Sequence, residues 1–374
     1  MVWPLNCYAT QTIAALMNEQ HVSGRVTIDL GALQANYKTL SAQAPKAETG
    51  AAIKADAYGL GLAPCAEALW DAGCRSYFVA RPLEGEELRA ILPDALIYVL
   101  DGLYTGEANY YMQHRLIPSL ISIEEAREWA THGQGQPCAL HVDSGINRVS
   151  LSYDELAALV AQQWSLNVVL LMSHLASSEQ QHNDFNEIQR QRFAKARALL
   201  PNVRASLANS SGHFLGPEYT SDLTRGGVAL YGGNPLPGKT NPMKPVVTLE
   251  ARVLQVRDVA KGEATGYNST WRATRDSKIA LLGAGYRDGI PRRMSSISGG
   301  DAQVFLNGHL CPIAGRVSMD MVAVDVTDNP AQRGDWAEFF GPNISLDDAA
   351  TSAGTISWEL LTHLGNRYAR HYKT

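Results

Sequence analysis

The chain has 374 residues, 45% of them hydrophobic and 18% charged, with 32 Lys plus Arg against 37 Asp plus Glu for a formal net charge of −5. That balance is ordinary for a globular enzyme, and mild acidity without a basic run excludes a general nucleic-acid binder. The length suits one large domain and one smaller one.

The first twenty residues hold no Lys or Arg, and their apolar stretch at 13–17 stops at Asn18-Glu19. This is expected to be an N-terminal extension over 1–24, neither a signal peptide nor a membrane span. From residue 25 onward short apolar runs alternate with amphipathic segments. Strands are expected at 25–30, 50–54, 76–80, 96–100, 117–121, 139–143, 168–172, 203–207 and 227–230. Helical patterns fall between them, at 64–72, 123–131, 153–163 and 183–199. Strand–helix alternation means βα units and a parallel sheet. Eight units after the first strand favour an α/β fold of the TIM-like (β/α)8 barrel type over 25–243, rather than an open doubly wound sheet.

Pro235, Pro237, Gly238, Pro242 and Pro245 then interrupt the pattern. Beyond them alternating runs at 246–256, 277–283, 302–306 and 322–326 dominate, with one helical stretch at 356–364. A mostly β C-terminal domain is expected over 244–374. The cysteines, Cys7, Cys65, Cys74, Cys138 and Cys311, are scattered and lack CxxC spacing. They read as reduced thiols of a cytoplasmic protein, not as a disulfide frame or a zinc site.

Barrel chemistry gathers at the C-terminal ends of strands. There the sequence places Lys54 after Ala51-Ala52-Ile53, the run His141-Val142-Asp143-Ser144-Gly145-Ile146-Asn147-Arg148, then Ser173-His174, Asn209-Ser210 and Arg225-Gly226-Gly227-Val228. A lysine ending a buried strand needs a reason, and a Schiff base to a carbonyl cofactor is one. Ser210 with Gly226 and Gly227 suits an anion, because hydroxyl and close-approaching amides can surround it. Taken singly, each has a plain structural alternative: a capping serine, a core histidine at 174, an ion-paired arginine at 225.

Taken together, the set resembles alanine racemase, a fold-type III pyridoxal-phosphate enzyme, over nearly the whole chain from about residue 25. The family's Lys-Ala-(Asn/Asp)-Ala-Tyr-Gly pattern is met by Lys54 to Gly59, and Asp-(Ser/Thr)-Gly-x-x-Arg by Asp143 to Arg148. Further pieces are Ser173-His174-Leu175-Ala176, Ala208-Asn209-Ser210, Arg225 to Gly232, Gly266-Tyr267, Gly285-Tyr286-Arg287-Asp288-Gly289 and Gly315 to Asp320.

The resemblance implies pyridoxal 5'-phosphate bound through Lys54, which acts as base on one face of the substrate while Tyr267 acts on the other. His174, hydrogen-bonded towards Arg225, is the implied relay that makes the tyrosine a usable base. Arg225 would face the cofactor ring nitrogen, a placement that favours racemisation over transamination. Tyr58, Ser210, Gly227 and Val228 are the implied phosphate contacts. Arg148 and the Met319 N–H would engage cofactor and substrate, and Tyr286 would narrow the entrance. A homodimer with shared active sites is implied, with alanine as substrate and no metal, nucleic acid or membrane partner. A broad-specificity amino-acid racemase and a non-catalytic pyridoxal-phosphate carrier are the alternatives. Two positions depart from the pattern. His141 stands where many members carry a carbamylated lysine, and Asn366 where a phosphate-binding tyrosine is usual.

Overall fold

A computed structural model describes residues 21–162, 164–296 and 302–374. Most of the expected N-terminal extension, together with Cys7, lies outside the described residues. The described chain forms two compact units, Gly31–Lys244 and residues 21–30 with Pro245–Thr374.

The first strand, β1 (Gly24–Asp29), is a correction to the sequence reading. It does not open the barrel. It pairs antiparallel with β10 (Val247–Val259) and parallel with the last strand, Ala369–Lys373. The reason is visible in its burial, which alternates between buried and half-buried positions. That suits a sheet covered on one face, whereas parallel barrel strands are buried on both. Ser76–Val79 and Ile117–Leu120, buried throughout, show the barrel pattern.

Eight parallel strands build the larger unit: β2 (Glu48–Ala52), β3 (Ser76–Val79), β4 (Leu96–Val99), β5 (Ile117–Leu120), β6 (Pro137–His141), β7 (Asn167–Met172), β8 (Arg204–Ser206) and β9 (Leu223–Gly226). They pair in the order β8-β7-β6-β5-β4-β3-β2-β9. Backbone bonds from Asp222 N–H to the Ala205 oxygen (3.0 Å) and from Arg225 N–H to the Ala208 oxygen (2.9 Å) join the two ends of that order, closing the ring. The eighth strand is a second correction. Residues 227–230, expected as strand, form a 3₁₀ turn (Val228–Tyr231), and pairing with β2 uses Leu223–Gly226 instead. A buried arginine at its third position disguised that strand as polar.

Inside the barrel, Phe78, Tyr98, Ile117, Ala139, Leu170, Met172 and Leu223 make one buried cluster, with Ala52 packed against it. In the second unit β14 (Gln303–Leu306), β15 (His309–Pro312), β17 (Trp336–Phe340), β10, β1 and β18 (Ala369–Lys373) run side by side in the order β15-β14-β17-β10-β1-β18. The register of β10 with β13 (Ser277–Leu282) shifts between Val253 and Gln255, and β13 pairs in turn with β16 (Val322–Asp325). A two-strand ribbon of β11 (Ala264–Thr265) and β12 (Trp271–Arg272) stands apart from this sheet.

Candidate active site

Side chains on a strand alternate between faces, so a residue two positions beyond an inward one points inward as well. Two of the sequence-selected residues obey this rule on their strands: His141 follows Ala139 and Arg225 follows Leu223, both predecessors in the barrel cluster. Lys54 and His174 lie just past the ends of β2 and β7, and the charges of Arg225, His141 and Lys54 all bear on His174, so the four gather at the C-terminal mouth, the catalytic end of such barrels.

Lys54 is half-buried and begins an unusual turn. Ala55, Asp56, Ala57 and Tyr58 all have left-handed backbone, with φ of 54°, 55°, 53° and 58°. Each such residue costs about 1–2 kcal/mol relative to right-handed helix. One tertiary and two local bonds hold the turn. The Ala55 N–H donates to the Glu84 carboxylate at 2.8 Å, the Leu62 N–H to Asp56 Oδ1 at 2.6 Å, and the Ala57 N–H to the Ile53 oxygen at 3.0 Å. Tyr58 stacks on Tyr231 with centroids 4.7 Å apart, and the Tyr231 hydroxyl donates to the Ala52 oxygen at 2.9 Å. Burial pushes the Tyr58 phenol up to about 12, so it is a hydrogen-bond donor at neutral pH.

Beside this turn lies a cluster of amides and hydroxyls. Ser210 Oγ accepts the Gly227 N–H at 2.9 Å and the Ala229 N–H at 3.2 Å. A Cβ on Gly227 would fall 2.9 Å from the Tyr58 hydroxyl, so any larger residue here would have to push that hydroxyl away. With the Gly227 and Ala229 N–H groups taken by Ser210, the Val228 N–H is the donor that the start of the 3₁₀ turn offers. Hydroxyls from Tyr58 and Ser210 with this amide suit a phosphate group. The neighbouring Asn209 is fixed by Ser178, whose hydroxyl donates to Asn209 Oδ1 at 2.8 Å.

Arg225 is buried under the mouth. Its Nη1 donates to the Ser206 carbonyl oxygen (3.0 Å) and Oγ (2.5 Å), and its Nη2 to the Ser173 and Leu207 oxygens (2.5 and 3.4 Å). Burial and the nearby Arg148 charge lower it to about 10, which still leaves it cationic at neutral pH. The hydrogen bond expected between His174 and Arg225 is not among these. Arg225 acts on the imidazole through space: burial first, then the charges of Arg225 and Arg148, hold His174 well below the usual histidine range. His141 is lowered to about 3 by the same causes, and neither of its ring nitrogens meets a hydrogen-bond partner among the described residues. Arg148 is exposed on a loop whose ends close by the Asp143 N–H to the Leu151 oxygen and the Leu151 N–H to the His141 oxygen, both 2.7 Å.

The second unit carries the other expected residues. Tyr267 sits in a 3₁₀ turn between β11 and β12 and is 69% exposed. Tyr286 and Met319, also exposed, stand on adjoining loops joined by the Tyr286 N–H to the Ser318 oxygen (3.0 Å) and the Arg287 N–H to the Met319 oxygen (3.1 Å). Sequence reasoning missed the roles of Glu84, Gln189 and Arg367, which hold site segments; Glu84 and Gln189 belong to no recognised pattern, and Arg367 stands beside Asn366 in the C-terminal family run. Among the described residues no group of three His, Cys, Asp or Glu side chains is placed to hold a metal ion. No described helix is long and apolar enough to cross a membrane.

An amine, an anion cradle and a buried cation on one barrel mouth fit a phosphorylated carbonyl cofactor. Similarity agrees. Residues 28–235 match the family model for the alanine racemase N-terminal domain and residues 246–372 that for the alanine racemase C-terminal domain. A Methylobacterium nodulans protein described as alanine racemase is 47% identical over 357 residues, covering 93% of this chain and 95% of the relative. A biosynthetic alanine racemase of Agrobacterium fabrum is 42% identical over 365 residues, 93% of each chain. The crystal structure of Bartonella henselae alanine racemase with covalently bound pyridoxal phosphate matches with a TM-score of 0.90 and 38% identity, covering 94% of this chain and 99% of that one. Both domains match, so a carrier built from the barrel alone finds no support, and the chain belongs to the alanine racemase family.

Proposed function

We propose that the protein interconverts L- and D-alanine by removing and returning the α-proton, with pyridoxal 5'-phosphate held through Lys54. The observation that carries this reading is the placement of Lys54 at the barrel mouth that also holds Arg225, at the head of a turn that delivers Tyr58 towards Gly227. Bound there, the cofactor supplies the electron-withdrawing ring that makes the α-proton removable.

The chain's own residues do the rest. Tyr58, Ser210, Gly227 and Val228 bind the phosphate. Lys54 takes or returns the proton on one face of the α-carbon, and Tyr267 serves the opposite face. A free phenol, with a pKa of about 10, is a poor base at neutral pH. His174, kept neutral by burial and by the charges around it, offers the phenol a hydrogen-bond acceptor while itself resisting protonation. Arg225 has donors only, and bonds from Nη1 and Nη2 to the strand ends hold it, so it presents a fixed cation and cannot protonate a ring nitrogen as a carboxylic acid would. Arg148 and the Met319 N–H orient cofactor and substrate oxygens, and Tyr286 narrows the entrance.

Tyr267, Tyr286 and Met319 are all exposed on their unit. The reading therefore includes a homodimer in which these three serve the barrel of a second copy. The four described cysteines are buried free thiols, in keeping with a reducing cytoplasm.

The test is incubation of the cofactor-loaded protein with L-alanine in deuterated water, followed by chiral chromatography and the α-proton signal. D-alanine carrying α-deuterium is expected. Exchange without inversion would remove Tyr267 from its role, and no exchange would overturn the reading. Lys54→Ala should abolish both turnover and the visible absorption of lysine-bound cofactor.

A further inference from the structure

The helix Asp184–Arg197 turns Asn186, Gln189, Phe193 and Ala196 inward. A stripe with this spacing packs on a core and is normally apolar, yet two of its four members are amides. Gln189 has no exposed surface. Burying an amide is unfavourable unless its polar atoms are bonded, and here they are. Oε1 accepts the Ala176 N–H at 2.8 Å, while Nε2 donates to the His174 carbonyl oxygen at 2.9 Å and to Ser144 Oγ at 3.1 Å. Ser144 Oγ also accepts from the Ser173 hydroxyl at 2.8 Å. These groups bracket two residues of the proposed reaction. Ser173 and Ala176 flank His174, and Ser144 opens the loop that carries Arg148. From the barrel side, Arg225 Nη2 donates to the Ser173 oxygen at 2.5 Å. The backbone at 173–176 is thus held from both sides, by a guanidinium and by an amide.

We propose that Gln189 is a positioning residue. It fixes the backbone through His174 and the start of the Arg148 loop in one register, and so sets where the imidazole stands relative to Arg225 and where Arg148 is delivered. Three partners demand one acceptor and two donors on a short planar head, which an amide supplies. Glutamate has the same shape and no donor, and would face the His174 and Ser144 oxygens with negative charge. Methionine fills the volume and bonds to neither. The inference rests on the roles given to His174 and Arg148 in the proposed reaction.

The test uses the full-length, cofactor-loaded enzyme as wild type, Gln189→Glu, Gln189→Met and Ser144→Ala. Hydrogen exchange by mass spectrometry is read on peptides covering 144–151 and 173–176, with the central strand 96–99 as reference. It is paired with the visible band of lysine-bound cofactor and with kcat and KM for both alanine enantiomers. Both Gln189 variants should exchange faster at both segments, and Ser144→Ala at 144–151 alone, with the reference strand and the cofactor band unchanged. A misplacement of about 1 Å can cost about 100-fold, so kcat should fall by roughly 10- to 100-fold while KM changes less. Unchanged exchange at both segments would overturn the proposal. So would faster exchange with unaltered kcat at equal cofactor occupancy, because that is the mark of a merely structural amide. Should Gln189→Met fail to fold, the isosteric Gln189→Glu and the single-arm Ser144→Ala decide. A wild type that does not racemise alanine would refute the proposed function, and the exchange data would then decide the clamp by themselves.

Discussion

The Ala55 N–H donates to the Glu84 carboxylate at 2.8 Å, tying the first left-handed residue after Lys54 to the next helix along the barrel. The same carboxylate accepts the Ala80 and Arg81 N–H groups at 2.7 and 3.1 Å and so caps its own helix, Pro82–Ile91. One side chain serves two backbone segments, the strained turn and the start of its own helix. Bonds to a charged group are worth about 1.5–3 kcal/mol. Glu84→Ala should therefore lower the melting temperature and weaken cofactor retention together, as measured by thermal unfolding and by absorption titration with pyridoxal phosphate. Glu84→Gln, which keeps an acceptor oxygen, should recover part of both. Undiminished cofactor affinity in Glu84→Ala would mean that the turn holds itself.

Gly227 and Tyr58 form a second dependent pair. A Cβ at 227 would meet the Tyr58 hydroxyl at 2.9 Å, and overpacking of this kind costs about 1–3 kcal/mol. Gly227→Ala should push the phenol away from its stack on Tyr231 and lower cofactor affinity by about tenfold or more. Tyr58→Phe removes the clashing oxygen. Adding Gly227→Ala to a Tyr58→Phe background should cost much less than it does in the wild type. Strict additivity of the two effects in a double-mutant cycle would show that the clash is not what glycine avoids.

Much of this site is legible in the sequence because its residues end short apolar runs, and a barrel puts such positions at its mouth. Lys54, His174 and Arg225 all stand at such positions. The strand expected at 227–230 falls one step late because Leu223-Thr224-Arg225-Gly226 looks polar, although the arginine is satisfied by carbonyl oxygens and lies inside. The first strand reads as barrel from its neighbours, although its alternation of Val26 and Ile28 with Arg25, Thr27 and Asp29 already describes a one-sided sheet. The left-handed turn leaves no local signature. Of Ala55, Asp56, Ala57 and Tyr58 only the aspartate is of a type that visits positive φ readily, and the conformation of the run is imposed by Glu84, Ile53 and the Tyr231 ring. Gln189 and Arg367 escape for a related reason: their partners are mostly backbone atoms or distant carboxylates, which no short pattern encodes.

Buried histidines give the protein a pH dependence with a definite sign. Burial, then the Arg225 and Arg148 charges, lower His141 to about 3. Burial is also the main cause that lowers His213 to about 4 and His174 well below its usual value. In the unfolded chain each returns to about 6.5. Above that pH both states are neutral and these groups contribute no slope. Between about 6.5 and the folded values the unfolded chain binds protons that the native state does not, so stability falls as the pH falls. Each group contributes up to about 1.4 kcal/mol per pH unit in that window. Denaturant unfolding at pH 7.5, 6 and 5 should show the loss, and His141→Met should reduce its slope by about one proton. Stability that is flat from pH 7 to 5 would contradict the burial of neutral imidazoles.

Arg367 joins the two loops that present Tyr286 and Met319. Its Nε and Nη2 donate to the two carboxylate oxygens of buried Asp288 at 2.6 and 2.7 Å, and its Nη1 reaches Asp320 at 2.8 Å. Asp288 also accepts the Gly285 N–H at 3.0 Å, one residue before Tyr286. Asp320 follows Met319 directly, so a single guanidinium spans both loops. Lysine would keep the charge and lose the fork that fits Asp288. In the proposed reaction these loops shape the substrate entrance, while the phosphate is held by residues of the barrel unit. Arg367→Lys should therefore raise KM for both alanine enantiomers by about tenfold, the scale of one lost charge-assisted bond. The lysine-bound cofactor band should stay in place and kcat should change less than KM. Asp288→Asn should follow the same course, since it weakens the same fork from the other side. A fall in kcat at constant KM would place Arg367 with the proton-transfer residues, and no kinetic change would separate the clamp from the substrate site altogether.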